Sequence, residues 1–278
     1  MRWQMTRYLL LILLLCAACS SEKVLKPENK PSSEKLILAS DFSAKDWLKT
    51  FESGQPMPWT VGMERARIIF DPDKKHKVLE IKYPKGSLGP EQGGSSWISY
   101  LPKPREKMTA SYWVKFPKDF DFVRGGKLPG LIGGHLDGHP NSTVTGGAHP
   151  TGKNGWSARV MWRKGGRIVQ YVYHMNQPGK WGEDFQWEIN RKPALFATGA
   201  WQKLTTEVTM NTPGQKNGRV RSWLNDVPAL DVQDLEFRAS ENIQIDAFYF
   251  STFFGGSEQD WAATKDELVR FDEFRVYE

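Results

Sequence analysis

Residues 157–175, SARVMWRKGGRIVQYVYHM, decide the fold class. Ala158, Val160 and Trp162 alternate with Ser157, Arg159, Met161 and Arg163. After Lys164-Gly165-Gly166, Val169, Tyr171, Tyr173 and Met175 alternate with Ile168, Gln170, Val172 and His174. A period of two sends successive side chains to opposite faces of a strand, and a Gly pair between two such runs makes a tight turn. The stretch therefore predicts a β-hairpin. Ser157 and Arg159 share one face of its first strand, and Tyr171 and Tyr173 share one face of its second.

Working outward, the same period recurs. Met108, Ala110, Tyr112, Val114 and Phe116 share a face of Met108–Phe116. Further strands are expected at Val78–Tyr83, Gln202–Met210, Arg219–Leu224, Ile245–Phe253 and Phe271–Tyr277, with a turn at Asn225-Asp226. Gln259–Leu268 is the one short helix expected. Many strands joined by Gly- and Pro-containing turns predict an all-β protein, a β-sandwich jelly roll with a concave substrate groove. There is no internal repeat.

The N-terminus reads as an export signal. Arg2 and Arg7 precede a short apolar run, Tyr8–Leu15, too short to span a membrane as a helix. Cys16-Ala17-Ala18-Cys19 resembles a lipobox, although Leu usually stands where Cys16 does. Residues 1–18 are expected to be a signal peptide, Cys19 the lipidated residue, and 19–35 a polar, Pro-containing tether. Ser20 resembles the outer-membrane sorting pattern, so an exported outer-membrane lipoprotein is expected, with a domain at 36–278. Both cysteines fall in this segment, so the domain is expected to hold neither disulfide nor thiolate metal site. A formal charge of +6, lowered to +4 without Arg2 and Arg7, favours anionic partners. No phosphate loop, Ser-His-Asp signature or nucleic-acid motif is present.

Gly125-Gly126-Lys127-Leu128-Pro129-Gly130 reads as a glycine-rich loop presenting Lys127. Taken singly, Lys127 reads equally as a solvated loop lysine, Ser157 and Arg159 as a solvated strand face, and either Tyr as strand packing. Together they suit β-elimination from a polyuronic acid. Lys127 or Arg159 would neutralise the carboxylate beside the acidic carbon, Tyr171 and Tyr173 would move protons, and Ser157 would position substrate or a Tyr. His135, His139 and His149 lie in the loop before this hairpin. Gly133, Gly134, Gly138 and Pro140 argue against the helix that a His-x-x-x-His zinc site would need. No metal or other cofactor is expected, and the histidines are read as substrate-facing. Trp97, Trp156, Trp181 and Trp223 are candidates for sugar stacking, and Arg221 falls in register with Trp223.

The run Gly125–Gly134, then Gly155-Trp156-Ser157-Ala158-Arg159-Val160-Met161-Trp162-Arg163, then Tyr171-Val172-Tyr173 resembles polysaccharide lyase family 14. Tyr83-Pro84-Lys85-Gly86-Ser87 and Phe253-Phe254-Gly255-Gly256 extend the likeness from about Leu79 to Tyr277. The resemblance implies a jelly roll and an alginate or glucuronan lyase. It also implies a uronate-holding role for Lys127 and Arg159, and proton transfer by the Tyr pair. The His-rich stretch between Gly134 and Trp156 departs from the family. The expected protein is a monomeric lyase acting on an acidic β-1,4-linked polyuronate. The alternatives are a non-catalytic acidic-glycan-binding lipoprotein, which would need no Tyr pair, and a jelly-roll glycoside hydrolase, which would need two facing carboxylates.

Overall fold

The structure, a computed structural model, describes residues 35–52, 57, 59–134 and 144–278. The expected signal peptide, Cys19, the tether, His135 and His139 lie outside the described residues. Among those described, the strands form two large antiparallel sheets. The eight-stranded sheet runs in the order Val227–Leu235, Gly218–Leu224, Gln202–Thr209, Lys107–Lys115, Glu267–Tyr277, His76–Tyr83 and Ala66–Asp71, with Leu36–Ser40 also pairing to Glu267–Tyr277. The seven-stranded sheet runs Glu183–Gln186, Ile168–Tyr173, Trp156–Arg163, Gly125–Gly133, Ile245–Phe254, Ser95–Arg105 and Thr60–Val61. The protein is the expected all-β sandwich.

Alternation explains the layering. Ala158, Val160, Trp162, Ile168 and Val172 turn inward from one sheet, and Met108, Ala110, Tyr112, Val114, Leu204 and Val208 meet them from the other. Trp162 is fully buried, with its ring against Phe116 and Phe254; truncation there would cost about 3–5 kcal/mol. Trp97 belongs to this core rather than to any sugar platform. It stacks on Phe250 at 3.7 Å between ring centroids and has no exposed surface. Trp156 is likewise buried against Phe237.

Two local readings are corrected. Gly125–Gly133 is a strand at the centre of its sheet, not a loop. Its glycines answer to neighbours remote in sequence. A Cβ on Gly126 would fall 1.9 Å from the Trp162 ring, and one on Gly130 would fall 2.1 Å from the Ala158 carbonyl oxygen. Pro129, which has no N–H to give, sits where both pairings shift register. The helix expected at Gln259–Leu268 is only a 3₁₀ turn, Gln259–Trp261. Ala263 exchanges backbone hydrogen bonds with the Gly86–Ser87 turn, and Glu267 already begins the last strand. Tertiary pairing outweighs a weak helical preference here.

Candidate active site

The outward face of the seven-stranded sheet carries a lateral row of partners across five strands: Tyr249, Gly130, Arg159, Tyr171 and Asp184. Gly130 leaves a gap in the row, and the Arg159 guanidinium lies 5.3 Å from the Tyr249 ring centroid. Lys127 and Met161 pair in an adjacent row, and Ser157 and Tyr173 in another. The bulge between Lys127 and Gly130 puts Lys127 on the same face as Arg159. Above these rows opens a cavity of about 560 Å³, lined by Lys127, Arg159, Tyr171, Tyr173, Trp181 and Tyr249 among others.

The two phenols touch. Tyr171 Oη and Tyr173 Oη are 3.3 Å apart, with the rings edge to face. Each hydroxyl also accepts a backbone N–H: Gly182 donates to Tyr171 at 3.1 Å, and Gly147 donates to Tyr173 at 2.9 Å. Burial, then the neighbouring Tyr173, push the Tyr171 pKa well above the ordinary phenol value, so Tyr171 stays protonated at neutral pH.

Lys127 is half-buried, and its amine is the enclosed end. Nζ lies 3.4 Å from the Tyr171 ring centroid and donates to Met161 Sδ at 2.7 Å. A thioether is a weak acceptor that brings no charge. Removal from water, then the guanidinium groups of Arg159 and Arg163, drive the Lys127 pKa well below its usual value.

Arg159 is 2% exposed, and its Nε has no hydrogen-bond partner among the described residues. No carboxylate reaches it there. A buried guanidinium in that state is costly unless a ligand supplies the anion. Arg163, four residues on, behaves differently: Asp184 grips it at 2.7 and 2.5 Å.

The remaining expected site residues divide. Trp181 is 47% exposed and lines the cavity, as a stacking platform would. Ser157 faces the right way but is fully buried beneath the surface. Its Oγ donates to the Val144 carbonyl at 2.9 Å, so it anchors the loop that carries Gly147 and does not line the cavity. His149 is exposed and outside the lining, its carbonyl bonded by Asn154. Trp156 is core. Arg221 and Trp223 share a face, as their spacing requires, but it is the outer face of the other sheet, where Arg221 pairs with Glu207 at 2.7 Å. His174 turns away from Tyr173 to meet Glu183 at 2.8 Å.

Sequence reasoning missed Tyr249, Asp184, Arg124 and Trp261, all of which line the cavity. Tyr249 was accessible to the same parity argument, since it alternates with Phe248 and Phe250, which are core. Nothing local marks the others.

One cleft on the outer sheet face of the β-sandwich thus gathers two cations that meet no carboxylate among the described residues, two phenols and an exposed Trp. The polysaccharide lyase 14 family profile matches residues 71–274, and the chain belongs to that family. Among solved structures it is similar to the marine PL-14 alginate lyase from Aplysia kurodai, at 25% identity over 87% of this chain and 98% of that one, TM-score 0.74. It is similar to an alginate lyase from Chlorella virus at 25% identity over 88% and 100%, TM-score 0.69. It shares the fold of an endo-β-1,4-glucuronan lyase from the fungus Trichoderma reesei at 12% identity over 87% and 95%, TM-score 0.52. No curated protein matches the chain closely enough to serve as a relative.

Proposed function

We propose that this polysaccharide lyase cleaves an acidic β-1,4-linked polyuronate, alginate or glucuronan, by β-elimination. The observation that carries the reading is Arg159: a buried guanidinium with no carboxylate partner among the described residues, in the cavity that holds Lys127 and the Tyr171–Tyr173 pair. A uronate carboxylate would satisfy it, withdraw charge from C5 and stabilise the enolate-like state that forms when the C5 proton leaves.

The proton roles divide by environment. Lys127, with its pKa lowered by burial and two guanidinium groups, gives up its own proton more readily than a solvated lysine, which suits the base that takes the C5 proton. The electron pair forms the C4–C5 double bond as the C4–O bond breaks. Tyr171, held protonated, gives its proton to the departing oxygen. The phenolate left behind faces the newly charged Lys127 ammonium and the Gly182 N–H. Solvent-mediated return of the proton from Lys127 to Tyr171 resets the site. This gives Lys127 the base's role that the sequence reading gave to a Tyr, and leaves the carboxylate to Arg159.

Polymannuronate, polyguluronate and glucuronan incubated with the chain, with the ultraviolet absorbance of the unsaturated product followed, test the reading. Growth of absorbance on at least one polymer, lost in Arg159→Ala, is expected. A flat trace on all three, with reducing ends still released, would replace it with hydrolysis.

The compartment is part of the proposal. Cleavage before Cys19 and lipidation of that residue would tether the domain to the outer membrane. No helix among the described residues is long and apolar enough to cross a membrane. Metabolic labelling with a fatty-acid analogue should mark the chain and fail in Cys19→Ala.

A further inference from the structure

The groove uses one outer face of the sandwich. The other, on the eight-stranded sheet, is also organised in rows. Arg275, Ser111, Thr205 and Trp223 are successive lateral partners, and Tyr277, Thr109, Glu207 and Arg221 form the next row. Trp113 pairs with Lys203 in a third. The middle of this pattern is short and hydroxylic: Thr109, Ser111 and Thr205. Rings stand around it, with Trp223 and Tyr277 three strand spacings apart, about 14 Å. A cavity of about 280 Å³ opens here among Ser111, Trp113, Lys203, Glu273, Arg275 and Tyr277.

Three features of this trough serve no evident need of the sheet. Thr205 is 5% exposed, yet its Oγ1 has no hydrogen-bond partner among the described residues. Buried hydroxyls are rarely left so, and Val would fill the same place in a strand without that cost. The last strand bulges between Asp272 and Arg275, and Glu273 within the bulge has φ 46°, a conformation that a non-glycine residue adopts only under constraint. A bulge re-aims side chains; this one delivers Arg275 beside Ser111. Finally, the Arg275 side chain is 58% exposed and meets Glu273 only at 3.7 Å, beyond hydrogen-bond range.

We infer that this trough is a second glycan site that takes a carboxylate-bearing oligosaccharide, a remote stretch of the polymer held in the groove. The inference rests on the polyuronate reading for the identity of the polymer. Trp113 supplies a ring face, Ser111 in the cavity wall meets a sugar hydroxyl, and Arg275 meets the carboxylate; Lys203, which Asp226 already holds at 2.9 Å, borders the site. The site lies on the far side of the sandwich from the groove, so a short oligosaccharide occupies one or the other. A long polymer reaches both, and the second attachment raises the effective concentration of the first.

The test compares the full chain with an Arg275→Ala variant, a matching melting temperature confirming that it folds. On a tetrasaccharide, kcat and KM should be unchanged; on polymer, KM should rise about tenfold, the worth of one charged contact. Affinity electrophoresis through gels containing each polymer, in an Arg159→Ala background that blocks turnover, should show retention lost with Arg275. Equal retention and equal polymer KM in a folded Arg275→Ala variant would overturn the inference. The gel also separates the two proposals. If no polymer is cleaved, retention that depends on Arg275 but not on Arg159 still supports the trough; if no gel retards the Arg159→Ala protein, the trough falls on its own.

Discussion

The two outer faces of the sandwich use similar residues and treat charge in opposite ways. On the eight-stranded sheet, Arg270 reaches Asp71 at 2.8 Å and Glu80 at 3.0 Å, Arg219 reaches Asp231 at 2.6 Å, and Arg221 reaches Glu207 at 2.7 Å. On the seven-stranded sheet, Lys127 and Arg159 meet a thioether and aromatic rings but no carboxylate among the described residues. Paired cations hold a surface together. Unpaired, buried ones weaken the fold and persist where a ligand completes them. By this measure the groove should bind anions strongly. The trough, where only Arg275 is loosely partnered, should bind more weakly.

The largest expected effect is at Lys127. Lys127→Met should lower kcat by about 10³-fold, as loss of a general base does, while raising the melting temperature. The pH dependence follows from the direction of the shift. The folded pKa lies below the unfolded value of about 10.4, so between the two the unfolded chain binds the extra proton and stability rises with pH. Removing the amine abolishes that slope and relieves its cost below the window. In the parent, kcat/KM should climb with pH through the lowered Lys127 pKa. The alkaline decline should come only above the ordinary phenol range, because Tyr171 is raised. An acid limb that persists in Tyr171→Phe but moves in Arg163→Met would tie the limb to Lys127 and its charged neighbours.

Next comes a crossed pair. Arg159→Met should cost about 10²–10³-fold in kcat/KM with stability unchanged or raised. Arg270→Met should leave turnover intact and cost about 2–3 kcal/mol in denaturant unfolding, because it removes the guanidinium that Asp71 and Glu80 share. Asp71 supplies the pH arm. Burial alone would raise its pKa, but hydrogen bonds from Arg270, the Lys74 N–H and Trp201 outweigh it and bring the carboxyl to about 2. Its contribution to stability is present above the unfolded value near 3.9 and lost as pH falls through about 2, and Arg270→Met should move that loss upward. If both Arg variants lost stability alike, the contrast between the faces would fail.

What was legible in the sequence follows the same divide between local pattern and remote pairing. Parity along residues 157–175 put Ser157 and Arg159 on one face of the first strand and Tyr171 and Tyr173 on one face of the second, and the structure gathers Arg159 and both Tyr in one cavity. Parity also linked Arg221 to Trp223, correctly as neighbours. Which sheet carries their face is a matter of topology, and a period of two carries no information about it. Gly125–Gly133 looked like a loop because the reasons for its glycines, Trp162 and Ala158, lie some thirty residues away in sequence. Trp97 and Trp156 look like Trp181 in sequence; only packing separates two core rings from the one at the cleft. Parity gives direction, not depth: Ser157 shares the outward face of Arg159 yet lies beneath the surface, which leaves it the positioning of Tyr173 and not of substrate.

Ser157 sets the smallest effect. Its hydroxyl fixes the Val144 carbonyl, and three residues on Gly147 donates to Tyr173. Ser157→Ala breaks the first bond and leaves the buried carbonyl without that partner, at about 1 kcal/mol of stability. No contact with substrate is lost. The loop instead frees Tyr173 by fractions of an ångström, so kcat should fall about fivefold with KM nearly constant, since small errors in positioning act on the transition state. Ser157→Thr, which keeps the hydroxyl, should restore much of the rate. If KM rose with kcat unchanged, Ser157 would be a substrate contact after all, and the depth assigned to it here would be wrong.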